Sequence, residues 1–314
     1  MASSVAFGNR PLSVGRIFTR GFAAAHSAVA GALLLALLHA PVQIASALVP
    51  GLRERPSPAS GGEPEQIFVA LALGAVFVLL TVAVFFLFPL IQGGILGQVR
   101  DRLESPGRPP GPFGAFARTY YSRLLGNQAV FALIMMAVVF PLICAGAVIA
   151  FRETADLMRP ADRAATAPRP PAAGELEWRL LAHPVFLGGM MFVSLVSSAV
   201  GMIYWVANCA VVAEPESLGA AWRQSWQFCR RNLPAVMVVW LANLAAGVLL
   251  APLGMLGQLG VITNPWVLSA VALVYAGLVG YWGLVLAGLT MSLYLGRRAP
   301  ARLAEPAEPV AVAG

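Results

Sequence analysis

The chain has 314 residues, of which 59% are hydrophobic and only 11% are charged, and its mean hydropathy is +0.76. A soluble domain carries about a quarter of its residues as charges, so this composition excludes a soluble globular protein. It also excludes a disordered chain and a secreted disulfide scaffold, because apolar residues dominate and there are only three cysteines. We therefore predict an all-α, polytopic membrane protein that forms a single membrane domain over residues 1–314.

Six uncharged apolar segments, taken in chain order, are each long enough to cross a bilayer, which requires about 20 residues per helix. They cover residues 22–49, 67–99, 128–150, 185–213, 233–261 and 266–295. None contains Asp, Glu or Arg, as expected where a charge at the membrane centre costs about 2.5–3.5 kcal/mol. The sequence therefore predicts a bundle of six transmembrane helices.

The basic residues of this chain are all arginines, 21 of them against 14 acidic residues, for a net charge of +7. In a membrane protein this excess indicates orientation and contact with lipid head groups, so we predict no nucleic-acid partner. Most arginines fall before the first segment, in the 100–127 and 214–232 loops, and in the C-terminal tail, so both termini are expected in the cytoplasm. Residues 151–184 are predicted to form a flexible external loop and residues 297–314 a disordered cytoplasmic tail.

The N-terminal segment allows a second interpretation. Arginines at positions 10, 16 and 20 precede an apolar run, and Ala45-Ser46-Ala47 resembles the cleavage site of a signal peptide. Against cleavage, the apolar run is longer than the hydrophobic region of a signal peptide, and the segment has two counterparts further along the chain. We predict that this segment stays as the first transmembrane helix.

A threefold pseudo-repeat divides the chain into units at about 11–100, 111–213 and 215–296. In each unit a glycine is followed four or five residues later by an arginine; the pairs are Gly15 and Arg20, Gly114 and Arg118, and Gly219 and Arg223. In the second and third units an aromatic residue comes three positions after that arginine, and an asparagine comes nine positions after it. Each opening stretch leads into an odd-numbered transmembrane segment.

The opening stretch of each unit is predicted to be an amphipathic helix. In the third unit Leu218, Trp222, Trp226 and Cys229 recur at steps of three and four, and arginines occupy the other face. A basic helix with bulky apolar residues at the start of a membrane span is expected to lie in the interface plane, near anionic head groups. The predicted contacts with lipid or a partner are Arg16, Arg20, Arg118, Arg123, Arg223, Trp226, Arg230 and Arg231.

Two stretches resemble a group of known proteins: LGAAWRQSWQFCRRNLPAV (218–236) and FPLIQGGILGQVRDRLESPGRPPGPFGAFARTYYSRLL (88–125). Their sequence pattern resembles that of bacterial six-helix integral membrane proteins of unknown function. These include the membrane domain attached to some glycerophosphodiester phosphodiesterases. The resemblance implies a bacterial inner-membrane protein with a role in lipid or envelope homeostasis. It does not imply the phosphodiesterase activity, because the soluble catalytic domain has no counterpart in this sequence.

Patterns typical of catalytic and metal sites are missing from the sequence. The three cysteines are scattered, with no CxxC spacing and no histidine placed to complete a metal site. No GxSxG motif, phosphate-binding loop or intramembrane carboxylate is present. The pair Glu214 and Glu216 is expected to be solvated, with Ser217 as the N-cap of the helix that follows. We therefore expect no metal, no cofactor and no enzymatic activity.

Two functions are the main candidates for such a chain, and a third is an enzyme acting on lipid, which would need a cluster of carboxylates or histidines at one depth in the membrane. The first, which we expect, is engagement of anionic lipid, a protein partner or a second copy through the basic cytoplasmic helices. The second is a permease or channel with a path between the repeats, lined by Gln92, Asn208 and Asn243, since many transporters contain internal repeats. The alternative role for these neutral polar residues is hydrogen bonding between helices of the bundle.

Overall fold

The structure, a computed structural model, consists of helices and turns in the residues that it describes, which are 13–53, 64–158, 184–214, 217–256 and 264–297. Its helices are α1 (Val14–Ala25), α2 (Val29–Arg53), α3 (Pro64–Glu104), α4 (Phe113–Met158), α5 (Pro184–Ala213), α6 (Leu218–Arg231), α7 (Leu233–Met255) and α8 (Pro265–Arg297). A short 3-10 turn, His26–Ala28, separates α1 from α2. No strand occurs within these ranges, which confirms the all-α class for them.

Within the described residues, six helical stretches are long and apolar enough to cross a membrane. They are Val14–Ile44, Gly74–Glu104, Phe113–Gly146, Met191–Ala213, Leu233–Gly254 and Trp266–Arg297. They agree with the six predicted segments in number and order, and an all-helical chain with six such stretches has the character of a multi-pass membrane protein.

The packing divides the chain into two compact units. Unit 1 comprises Met1–Gln128 and Trp205–Gly314, and unit 2 comprises Ala129–Tyr204. The boundaries fall inside α4 and α5, so the second predicted repeat contributes its two ends to unit 1 and its middle to unit 2. All the predicted contact and path residues belong to unit 1.

Helix α8 is central to unit 1, where it packs against α1, α2, α3 and α7. Glycines make this packing close. A Cβ atom added at Gly21 of α1 would lie 2.8 Å from the carbonyl oxygen of Gly288 in α8. One added at Gly280 of α8 would lie 2.8 Å from the carbonyl oxygen of Ala32 in α2. These helices therefore touch backbone to backbone, as helices with small residues at their contacts do in membranes.

Residues 105–112 join α3 to α4, and side chains of α3 form hydrogen bonds with this segment. The backbone N–H of Gly111 donates a hydrogen bond to the Asp101 carboxylate (2.8 Å), and the Gln98 side chain donates to the carbonyl of Gly111 (3.1 Å). A Cβ atom at Gly97 would lie 2.5 Å from the Phe116 side chain, so only glycine fits there without movement. These contacts fix how the first part of α4 follows the end of α3.

The opening stretches of the three predicted repeats adopt three different forms. The first is α1, which the 3-10 turn separates from the following span. The second is not a separate helix, because α4 is one continuous helix of 46 residues that contains both the opening stretch and the span. The third is α6, which ends at Arg231 before α7 begins. The structure thus differs from the predicted set of three distinct interfacial helices.

Pro234 explains why the helix is interrupted in the third unit but continuous in the second. It stands in the first turn of α7, where its missing N–H costs nothing. In the interior of a helix running on from α6, its ring would clash with the carbonyl four residues earlier. The corresponding stretch of the second unit, Asn127-Gln128-Ala129, has no proline, and the helix passes through it.

Much of the buried core of unit 1 lies at one end of its helices, in 17–28, 91–99, 117–127, 206–214, 221–239 and 284–294. Burial also continues along α2 and α8, at Ala32, Leu35, Ala40, Leu268, Ala272 and Ala276. Away from this end α3 exposes most of its side chains between residues 74 and 87. We call the packed end, comprising 13–28, 91–104, 113–128, 205–214, 217–239 and 284–297, the basic end, because the predicted arginine contacts all lie on it.

Unit 2 consists of the remainder of α4 and the first part of α5. The rings of Phe131 and Tyr204 stack there, with their centroids 4.4 Å apart. Helix α4 continues to Met158, so the start of the predicted external loop is helical over residues 151–158. Residues 159–183 of that loop and residues 298–314 of the predicted tail lie outside the described residues.

Candidate membrane-surface site

The predicted contact residues lie on the basic end with exposed side chains. They are Arg16 and Arg20 on α1, Arg118 and Arg123 on α4, and Arg223, Trp226, Arg230 and Arg231 on α6. The five arginines of α4 and α6 form no ion pair with any residue that the structure describes. Trp226 exposes 53% of its surface. Positive charge and an aromatic ring are therefore available at this end to a ligand or a lipid surface.

The opposite faces of these segments fix them in place. Ile17 of α1, Leu124 of α4 and Phe228 of α6 are all buried. Helices α4 and α6 also touch directly, since a Cβ atom added at Gly126 would lie 2.8 Å from the side chain of Leu218. Packing inside the core thus holds all three basic segments at the same end of unit 1.

The buried face of α6 is only partly the predicted one. The structure buries Ala221, Ser225, Phe228 and Cys229, whereas Trp226 is exposed. Small side chains at 221 and 225 let the helix backbone approach its neighbours, which a face of tryptophans would prevent. The sequence pattern selected the bulky residues because it measures hydrophobicity and not the fit between helices.

Glu214 is buried, and the prediction that it is solvated is wrong. Only 6% of its surface is exposed, and its carboxylate accepts a hydrogen bond from the Tyr294 hydroxyl of α8 (2.9 Å). The ring of Tyr294 also lies against that of Phe228, with centroids 5.2 Å apart. Tyr294 of α8 thus contacts the residue that follows α5 and a residue in the last turn of α6. The predicted N-cap is confirmed, because the Ser217 hydroxyl accepts from the N–H of Ala220 (3.4 Å).

Arg100 joins three helices at the basic end, although the sequence analysis did not select it. Its guanidinium donates to the carbonyl of Val212 in the last turn of α5 (2.7 Å) and to the hydroxyl of Tyr120 in α4 (3.4 Å). It also pairs with Glu104 one turn along α3 (3.0 Å). Carbonyls in the last turn of a helix lack intrahelical partners and carry partial negative charge, so a cation there is stabilising.

The residues of the predicted polar path take part in contacts between helices. Asn208 is fully buried and accepts a hydrogen bond from the amide of Asn127 (2.6 Å). Asn243 is half-buried and accepts from the indole N–H of Trp282 (3.0 Å). Gln92 is 2% exposed. Two of the three residues therefore make the interhelical hydrogen bonds that the sequence analysis left open as their alternative role.

The histidines, cysteines and acids of the described residues form no group of three or more that could hold a metal ion. Cys144 is exposed, Cys209 and Cys229 are buried, and all three thiols are free. Burial raises the pKa of the Cys229 thiol from 9.0 to about 11. This thiol is therefore a poor nucleophile near neutral pH, where the thiolate is the reactive form.

Comparison with protein-family models, with curated proteins and with solved structures finds no match to this chain. The resemblance to bacterial six-helix membrane proteins stays a prediction from the two quoted stretches.

Proposed function

We propose that the chain is a non-enzymatic integral membrane protein of the bacterial inner membrane, with cytoplasmic termini, that engages anionic phospholipids through its basic end. The observation that supports this most is the placement of exposed arginines and Trp226 on segments whose opposite faces are packed into the core. The five arginines on α4 and α6 have no ion-pair partner among the described residues, so their charge is not neutralised within that part of the chain.

The depth of these groups favours a lipid ligand. The basic end coincides with the ends of the apolar spans, which is the level of the phospholipid head groups in a bilayer. Each arginine near an anionic surface gains about 1 kcal/mol. Tryptophan also prefers this boundary, because its ring is apolar while its N–H is polar. Both residue types therefore favour the same surface.

Transport along the predicted polar path is the second function that the sequence leaves open. Its residues Asn208 and Asn243 are engaged with Asn127 and Trp282, and moving a solute past them would break these hydrogen bonds. Among the described contacts of the arginines of α4 and α6, the only side-chain hydrogen bond is a long one from Arg223 to the Gly219 carbonyl of its own helix (3.4 Å). Lipid engagement is therefore the better supported of the two functions.

The test is the lipid composition around the protein in a mixed bilayer. The full chain is reconstituted into equimolar phosphatidylglycerol and phosphatidylcholine with identical acyl chains, extracted with its surrounding lipid in polymer nanodiscs, and its lipids are quantified. We expect enrichment of phosphatidylglycerol over the bulk ratio. A lipid shell with the bulk ratio contradicts the proposal.

A matched pair of variants separates charge from fold. One variant replaces the arginines of α4 and α6 by glutamine: Arg118, Arg123, Arg223, Arg230 and Arg231. The second replaces the same residues by lysine, which keeps the charge but not the planar guanidinium. The glutamine variant should lose the enrichment and the lysine variant should keep most of it. Equal enrichment in both variants would show that these residues do not select the lipid.

A further inference from the structure

Helix α6 presents a buried face and a broad exposed face. The buried face consists of Ala221, Ser225, Phe228 and Cys229. When the residues are placed at 100° per position around the helix, Trp226 lies near one edge of the exposed face and Arg231 lies about 140° from it.

Trp226 stands between two arginines on the same side of the helix. Arg223 precedes it by three positions and Arg230 follows it by four, the two spacings that bring side chains together on a helix surface. Arg223 and Arg230 are seven positions apart, so their directions differ by only about 20°. Arg231 is also exposed, but it points about 100° away from Arg230.

Apolar side chains for a lipid tail begin directly beyond this group. Helix α7 starts two residues after α6 ends, and it exposes Leu233 (54%), Met237 (38%) and Leu241 (53%) at steps of four. Positions four apart lie on one face of a helix. The chain thus provides a cationic and aromatic surface followed at once by an apolar stripe, the order of chemistry along one phospholipid molecule.

We propose that Arg223, Trp226 and Arg230 form a binding site for the phosphodiester head group of one anionic phospholipid, whose acyl chains lie on the apolar stripe of α7. The two guanidinium groups donate charge-assisted hydrogen bonds to the phosphate oxygens. The indole occupies the boundary between head group and chains. An acidic peptide or a soluble polyanion would use the arginines but gain nothing from Leu233, Met237 and Leu241.

This inference rests on the proposed function and sharpens it to one site on one helix. Exposed arginines can be replaced here without loss of core contacts. The only described contact of the Arg223 side chain is a long hydrogen bond from Nε to the carbonyl of Gly219 (3.4 Å), one turn earlier in its own helix. Arg230 and Arg231 make no described side-chain contact.

The experiment is a titration of the delipidated full chain in detergent, followed by native mass spectrometry. The probes are dioleoylphosphatidylglycerol and, as the zwitterionic control, dioleoylphosphatidylcholine. The double variant Arg223→Gln/Arg230→Gln is compared with Arg108→Gln, which removes an exposed charge from the segment between α3 and α4, outside the basic end. A lysine version, Arg223→Lys/Arg230→Lys, tests whether charge restores binding. Thermal unfolding of each variant checks that the fold is unchanged.

We expect the wild type and Arg108→Gln to bind a first phosphatidylglycerol with the same Kd and in preference to phosphatidylcholine. The double glutamine variant should bind it about fivefold more weakly for each arginine removed, and the lysine version should recover most of the affinity. If Arg108→Gln weakens binding as much as the double variant does per charge, or if the double variant binds normally, this site is wrong although the lipid proposal stands. If the wild type shows no preference between the two lipids, the proposed function itself fails.

Discussion

The side-chain amide of Asn127 in α4 donates to that of Asn208 in α5 over 2.6 Å, and neither residue is exposed to solvent. Asn127 comes nine positions after Arg118, where the third repeat has Asn232. The two asparagines have different roles, because Asn232 lies at the break between α6 and α7 and donates to the carbonyl of Phe228 (3.1 Å). The same position of the repeat thus forms a buried hydrogen bond between helices in the second unit, whereas in the third unit it lies at the end of a helix.

Breaking this amide pair should destabilise the protein. Asn127→Leu leaves the buried amide of Asn208 without its described partner, at a cost of about 1 kcal/mol. The double variant Asn127→Leu/Asn208→Leu removes both polar groups and should cost less than the sum of the single variants. Thermal unfolding in detergent measures all three. Strictly additive losses would show that the two amides do not stabilise each other.

Glycine at the contact between α1 and α8 should be indispensable. In Gly21→Ala the new Cβ atom would lie 2.8 Å from backbone atoms of α8, which cannot move as a side chain can, so we expect a loss of about 2 kcal/mol. Gly277→Ala is the matched control. Gly277 lies in α8, the helix that Gly21 contacts, but no atom lies within 4 Å of a Cβ atom added there. Its unfolding temperature should be unchanged or slightly higher. Similar losses in both variants would contradict the close packing.

The Tyr294 hydroxyl should stabilise the buried Glu214 carboxylate at the end of α5. Tyr294→Phe keeps the ring contact with Phe228 but removes the hydrogen bond to the buried Glu214 carboxylate, which should cost about 1–3 kcal/mol. Tyr281→Phe serves as control, since the hydroxyl of Tyr281 is at the more exposed contact with His26 (3.3 Å). Both are measured by denaturation in detergent. A Tyr294→Phe variant as stable as the control would show that the buried carboxylate does not depend on this donor.

The thiol of Cys229 should react slowly until strongly alkaline pH. Its pKa of about 11, raised by burial from 9.0, predicts that alkylation by iodoacetamide accelerates about tenfold per pH unit through pH 10. The measurement uses a variant in which Cys144→Ser and Cys209→Ala leave Cys229 alone. A rate that levels off near pH 9, as for the denatured chain, would contradict burial of this side chain.

The raised pKa of Cys229 also determines the direction in which stability changes with pH. Because the folded thiol keeps its proton to a higher pH than the unfolded thiol does, the folded state binds more protons between pH 9.0 and about 11. The contribution of Cys229 to stability is therefore fully present below pH 9 and is lost as the pH rises through this window. Cys229→Ala should remove that part of the alkaline loss.

The six spans could be predicted from the sequence because the hydropathy of a 20-residue segment is a local property. The N-cap at Ser217 is local in the same sense, since its partner is three residues away. Burial of Glu214 could not be predicted in this way. Its partner Tyr294 is 80 residues further along the chain, and a carboxylate beside Pro215 in a short linker has the sequence character of a solvated group.

The faces of α6 show the same limit. Periodicity correctly separates Arg223 and Arg230 from Cys229, but it cannot decide which apolar side chains face the core and which face lipid. Both Phe228 and Trp226 are apolar, and only contact with the ring of Tyr294 places Phe228 inside. In a membrane protein lipid is as apolar as the core, so hydrophobicity alone cannot separate these two environments.

The most direct test of lipid engagement at the basic end is the salt dependence of lipid selectivity in the wild-type protein. Spin-labelled phosphatidylglycerol and phosphatidylcholine are compared by electron paramagnetic resonance in reconstituted vesicles, at ionic strengths of about 0.1 M and 1 M, where the Debye length falls from about 10 Å to 3 Å. We predict that phosphatidylglycerol associates several-fold more strongly at the lower salt and that the difference largely disappears at the higher salt. Equal association of the two lipids at low salt would contradict the proposed function.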